Sequence, residues 1–148
     1  MVDIGGMNRL WGIILLHVTF ALPMTIFLYT GFIRSIPYEL EEAALIDGAG
    51  RFKLFYRILM PLLKPITATV VIVTCVNIWN DYQFSVFFLQ RSEVHTITIA
   101  LSGFFSQYNN YIGWVAAGSL LGAIPITLVY LVLQRYFIQG LASGAVKG

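Results

Sequence analysis

Three long apolar runs, separated by one mixed-charge stretch and one semi-polar stretch, set the plan of this chain. The first, residues 11–33, holds no charged residue. As a helix rising 1.5 Å per residue it would extend about 34 Å, enough to cross a hydrocarbon core of about 30 Å. His17, Thr19, Thr25 and Thr30 are its polar members, and Pro23 predicts a kink where neighbouring helices take up the freed carbonyl. The second run, residues 66–89, is as long but is interrupted by Thr67, Thr74, Asn77, Asn80 and Asp81. At 100° per residue Thr67, Thr74, Asn77 and Asp81 share roughly 80° of the helix circumference, with Asn80 on the adjoining flank. The third run, residues 114–137, is free of charge until Arg135, which suits the headgroup level. Gly118 and Gly122, and Ser119 and Ala123, form two rows of small residues for close helix approach, and Pro125 permits a second kink.

Composition supports the same plan. Of 148 residues 58% are hydrophobic and 11% charged, whereas a soluble domain carries about 25% charged residues. The surplus apolar surface is expected to face lipid, which makes the fold class all-α membrane protein with three transmembrane helices. The polar stripe of the second run is costly against lipid and should face protein or a water-filled path. Asn77, Asn80 and Asp81 are therefore candidates for lining a substrate path, with interhelical hydrogen bonding as the competing explanation. Cys75, the single cysteine, lies within an apolar run and reads as a small buried hydrophobe, so there is no internal disulfide and no cysteine-based metal spacing.

The two connections differ in charge. Residues 34–65 carry Arg34, Arg51, Lys53, Arg57 and Lys64; residues 90–113 carry only Arg91. The bias of basic residues places 34–65 and the tail 138–148 in the cytoplasm, and 90–113 outside as an interfacial or re-entrant segment. An outside start with no signal-peptide pattern suggests that further spans precede this stretch, so that the sequence is a fragment or a late-starting frame.

Within 34–65 the pattern predicts two short helices. Ser35 can cap the first, Pro37 suits its first turn, and Glu39, Glu41 and Glu42 favour the positive end of its dipole. It should run to about Asp47, with Gly48 adopting a positive φ at its end. A second helix, about residues 51–60, follows from Phe52, Phe55, Tyr56 and Leu59, and Pro61 and Pro65 bracket the return to the membrane. Ala43, Ala44 and Gly48 would let another surface approach closely.

Glu42-Ala43-Ala44, then Gly48, Ile58 and Met60-Pro61 at these spacings resemble the EAA loop of binding-protein-dependent ABC permeases, departing only in Met60 where the family has leucine. Ile36-Pro37, Leu45-Ile46-Asp47-Gly48-Ala49, Trp79-Asn80-Asp81 and the tail from Gln134 to Gly148 resemble the carbohydrate-uptake branch, closest to the C-terminal half of the maltose-type second permease subunit. The resemblance implies a bacterial-type inner-membrane, multi-pass permease of a sugar importer. Its partners would be a cytosolic ABC ATPase dimer, a second permease subunit and an extracytoplasmic solute-binding protein. Glu42, Ala43, Ala44, Asp47, Gly48, Ile58 and Pro61 would couple to the ATPase, and Gly144, Lys147 and Gly148 would make a second contact with it. ATP hydrolysis would reside on the partner chain, and no cofactor is implied.

Other classes find less support. No basic stripe interleaved with aromatics points to nucleic acid, and no paired carboxylates, HExxH, nucleophile elbow or phosphate-cradling lysine loop points to an enzyme. A permease for an amino acid, peptide or ion, and a truncated membrane fragment that does not transport, remain as alternatives.

Overall fold

A computed structural model describes residues 5–104 and 111–145, with side chains described up to Tyr136. Seven helices follow in order among the described residues: α1 (Leu10–Ile33), α2 (Glu39–Ile46), α3 (Arg51–Leu62), α4 (Lys64–Trp79), α5 (Gln83–Phe88), α6 (Ile97–Ser102) and α7 (Ile112–Ala145). There is no strand among them. The helices Leu10–Ile33 and Ile112–Tyr136 are long and apolar enough to span a membrane, and α3 with α4 forms a third candidate, bent by 62°.

Contacts divide the chain into two units: residues 1–22 with 74–130, and residues 23–73 with 131–148. The first division falls at Pro23 in α1, where proline supplies no N–H and the helical ladder is interrupted.

In the first unit a small core gathers Ile13, Leu89 and Ile99, with Leu16, Phe84, Val86, Phe88 and Val94 against it. α6 lies against α7 because α7 offers glycine there. A Cβ at Gly118 would stand 2.4 Å from Leu101 Cδ2, and one at Gly122 would stand 2.8 Å from Ile97 Cδ1. The small-residue row read from the sequence thus seats α6. Gly118→Val should lower stability by about 1–3 kcal/mol through overpacking, seen as a lower melting temperature of the detergent-purified protein; an unchanged melting temperature would show that Leu101 has room to yield. An N-terminal turn is fastened to the far end of α5. Asn8, at φ 56, accepts the backbone N–H groups of Gln90 and Arg91 on its Oδ1 at 2.6 and 3.0 Å, and donates its own N–H to Phe88 O.

In the second unit α1 ends at Ile33, and the Ser35 hydroxyl donates to Phe32 O at 2.7 Å. Ser35 therefore closes α1 instead of capping α2, because its side chain turns back to the carbonyls left open at the helix end. α2 begins at Glu39, with Glu39, Glu41 and Glu42 in its first turn. α3 reaches Leu62, past the expected Met60, and contains a π-turn over Phe55–Leu59 in which Met60 N–H donates to Phe55 O. Pro61 has no N–H and its ring crowds the preceding turn, so a widened turn just before it relieves the clash. Tyr29 on α1 donates its hydroxyl to Thr67 Oγ1 on α4 at 2.9 Å, and Thr67 donates to Leu63 O. That polar member of the expected stripe is therefore occupied in helix–helix bonding.

Two segment boundaries differ from the sequence pattern. The run 66–89 is not one helix: α4 stops at Trp79 and α5 starts at Gln83. Asp81 makes the break by capping α5, as described below. The third apolar helix begins at Ile112 and continues without interruption through Pro125 to Ala145, so most of the expected tail is helical. Within 90–113, expected as an interfacial or re-entrant segment, the described residues form a 3-10 turn over Ser92–Val94 and the six-residue α6. Residues 105–110 of this segment lie outside the described residues.

Candidate functional site

Two groups of candidate residues occur, one in each unit. In the second unit the residues of the Glu42–Pro61 pattern build a hairpin from α2 and α3. Its corner is a Schellman motif: Ala49 N–H donates to Ala44 O at 2.9 Å, Gly48 N–H to Leu45 O at 3.0 Å, and Gly48 has φ +72. Ala44 and Ala49, at the two positions whose contact commonly accompanies this motif, are both buried. The second alanine of the pattern is thus explained by packing under the turn. Gly48 is explained by its left-handed backbone, since nothing lies within 4 Å of a Cβ placed there. Glu42, Ala43 and Asp47 are exposed around the same corner, Ile58 is half-buried, and Pro61 is exposed. Ile46 and Phe52 are 85% and 83% exposed, so the hairpin presents apolar side chains with no cover in this chain. At the root of the hairpin a cavity of about 570 Å³ is lined by Tyr56, Pro61, Lys64, Thr67, Leu133 and Tyr136 among others. Gly144 lies in the backbone of α7; Lys147 and Gly148 lie outside the described residues.

In the first unit Asp81 is the centre of a polar knot. Its Oδ1 accepts the Phe84 N–H at 3.1 Å, and its Oδ2 accepts both the Ser85 N–H at 2.9 Å and the Ser85 hydroxyl at 2.7 Å. His17 Nε2 of α1 stands 3.6 Å from Oδ2, and the side chains of His17 and Asp81 are 13% and 8% exposed. The carbonyl of Asp81 accepts the Thr98 hydroxyl at 2.7 Å. Phe84 meets the His17 ring edge-on and stacks obliquely on Phe20 at 4.8 Å. One carboxylate therefore satisfies the first N–H groups of α5 and draws together residues of α1, α5 and the segment leading into α6.

Asn80, the next residue back, has a different setting. Its Nδ2 donates to Val76 O at 2.9 Å, and the residue lines a cavity of about 280 Å³ with Trp79, Ile97, Thr98, Leu101, Ser119, Gly122, Ala123 and Ile126. Trp79 Nε1–H donates to Gly122 O at 2.9 Å, tying α4 to α7. Asn77 is exposed and is not among the lining residues. The helix break thus separates the three path candidates: Asn80 at a cavity, Asp81 in a knot, Asn77 on an open face. His17, Trp79, Thr98 and Ser119 were not singled out as site residues by pattern. The polar stripe through Asn80 and Asp81 and the Trp79-Asn80-Asp81 string were the signals that marked this place. No cluster of histidine, cysteine and carboxylate groups suited to a metal occurs among the described residues.

The sequence model of the binding-protein-dependent transport system inner membrane component matches residues 3–143. The chain belongs to this family. Among similar curated proteins, the melibiose/raffinose/stachyose import permease protein MelC of Bacillus subtilis (strain 168) is 54% identical over 149 aligned positions, covering 100% of this chain and 54% of its own length. The multiple sugar-binding transport system permease protein MsmG of Streptococcus mutans is 40% identical, covering 96% of this chain and 52% of its own. The trehalose transport system permease protein SugB of Mycobacterium tuberculosis is 37% identical, covering 97% and 53%. The chain spans about half the length of the curated relatives it matches. It is thus a member of a family of inner-membrane transport components, with two apolar helices of spanning length among the described residues.

Proposed function

We propose that this chain is the part of an ATP-binding-cassette permease that passes a sugar across the inner membrane and receives the movement of a cytosolic ATPase through the α2–α3 hairpin. The single observation that carries this is the family match over 3–143 combined with relatives named for melibiose, multiple-sugar and trehalose transport. The hairpin supports the coupling half of the proposal. A turn fixed by Gly48, a packed Ala44–Ala49 base and exposed Ile46 and Phe52 make a stiff element with an uncovered apolar end. Such an end suits a cleft on another protein, since apolar surface removed from water drives association. Glu42 and Asp47 beside it would select a cleft with basic residues.

In this reading a second permease subunit and a solute-binding protein complete the importer, and residues 138–148 lie on the cytoplasmic side with the hairpin. The α7 helix would carry Gly144 toward the ATPase, with Lys147 and Gly148 following. Transport of an amino acid, peptide or ion has no relative in its favour among those compared above.

The test is uptake by the complete importer containing this chain, using labelled melibiose, trehalose, histidine and a tripeptide. Sugar uptake that needs ATP is the expected result; uptake of the amino acid or peptide alone would overturn it. Glu42→Lys should weaken capture of the cognate ATPase from detergent extract while leaving the chain inserted, and undiminished capture would remove the hairpin from the coupling role.

A further inference from the structure

We propose that the cavity beside Trp79 is a subsite that receives one ring of the transported sugar, with Asn80 as its polar anchor; this rests on the sugar-import reading above. The cavity, at about 280 Å³, lies just below the range of roughly 300–1,000 Å³ in which pockets enclose whole small molecules. It suits a single ring and not an oligosaccharide.

Its wall is divided as a sugar ring is divided. Trp79, Ile97, Leu101 and Ile126 offer apolar surface to the C–H faces of a pyranose, and Asn80, Thr98 and Ser119 offer amide and hydroxyl groups to its rim.

The polar groups are also oriented. Asn80 Nδ2 is bound to Val76 O, which holds the amide and leaves Oδ1 as the atom to accept from a sugar hydroxyl. Thr98 donates to Asp81 O and is 2.9 Å from the Thr96 hydroxyl, so toward the cavity it acts as an acceptor. Trp79 spends its N–H on Gly122 O, so its indole is fixed without needing a sugar bond. The Asp81 knot holds the chain on the far side of Asn80, and its carboxylate oxygens are committed elsewhere. Asp81 is thus a positioning residue for the subsite, while Asn80 touches the ligand. Space for the ring comes from Ser119 and Ala123, and a larger side chain at 119 would fill it.

The experiment measures uptake of labelled melibiose by the complete importer carrying wild-type, Asn80→Ala or Ser119→Leu chain, with inserted chain quantified. Leu120→Ala, at an exposed α7 position outside the cavity lining, serves as control. Asn80→Ala should raise KM roughly 3- to 10-fold, the worth of one or two hydrogen bonds, at an unchanged maximal rate. Ser119→Leu should raise KM at least as far, and Leu120→Ala should leave it unchanged. Should Ser119→Leu fail to insert, a photoreactive galactoside applied to the wild-type importer decides: labelling of the peptide holding Trp79 and Asn80 supports the subsite, and labelling confined to other peptides overturns it. Wild-type KM in both inserted cavity variants also overturns it, while wild-type sugar uptake leaves the transport reading standing. No sugar uptake by the wild type removes both.

Discussion

Gly48→Pro is expected to reduce sugar uptake by the complete importer about 100-fold or more, with the chain still inserted at wild-type level. Gly48 has φ +72, and proline holds φ near −65°, so the Schellman corner cannot form. Proline also lacks the N–H that Gly48 donates to Leu45 O. The combined cost of about 3 kcal/mol corresponds to about 100-fold in an equilibrium. The damage is local, because no atom of the chain lies within 4 Å of the Gly48 Cβ position. α2 and α3 would then meet at a different angle, and Ile46 and Phe52 would no longer form one surface. Gly48→Ala provides the graded comparison: it keeps the N–H and pays only the left-handed backbone strain of about 1–2 kcal/mol. Uptake and ATPase capture should follow the order glycine, alanine, proline. Equal uptake by all three would show that coupling does not pass through this corner.

Asp81→Leu is expected to be the most destabilising change in the first unit, by about 3 kcal/mol or more. The branched shape is kept, though methyl groups are larger than oxygens, and the N–H groups of Phe84 and Ser85 and the Ser85 hydroxyl lose their acceptor. Ser85 is 1% exposed, so water does not replace it. Asp81→Asn keeps one acceptor oxygen and should cost about 1 kcal/mol. His17→Gln should cost less than Asp81→Leu, since a 3.6 Å approach is looser than the three hydrogen bonds. The measurement is thermal unfolding of the purified protein in detergent. If Asp81→Leu melts with the wild type, the carboxylate is not the cap that holds α5, and a direct role in the path returns to consideration.

Much of the α2–α3 hairpin was legible in the sequence because its constraints are local. Gly48 at a helix end, with acidic residues leading in, specifies a turn within a few residues, and the structure has it. Ser35 was legible only as a capping residue, not for which helix, since its hydroxyl could reach back or forward. The π-turn before Pro61 required the actual path of the chain. The small-residue rows on α7 announced a close approach without saying that α6 would make it.

The candidate path was legible as a stripe and resolved only as a set of contacts. A 100° periodicity treats residues 66–89 as one helix and so puts Asp81 in line with Thr67 and Thr74. The structure breaks that helix after Trp79, because a carboxylate followed by free N–H groups is more stable as a cap than as a charge on a span. The cap bonds to Phe84 and Ser85 lie within four residues, but that the same residue also meets His17 and Thr98, distant in sequence, is encoded by no local pattern.

The sequence by itself determined that this protein is helical, apolar enough to meet lipid, and built around the Glu42–Pro61 hairpin, because hydropathy and turn chemistry act over a few residues. The tertiary structure alone decided that Asp81 caps α5 against His17 and Thr98 while Asn80 opens onto a cavity. Those two roles differ by one residue: the cap bonds are local, but the meeting with His17 and Thr98 and the walls of the cavity come from residues far apart in sequence, which no local pattern specifies.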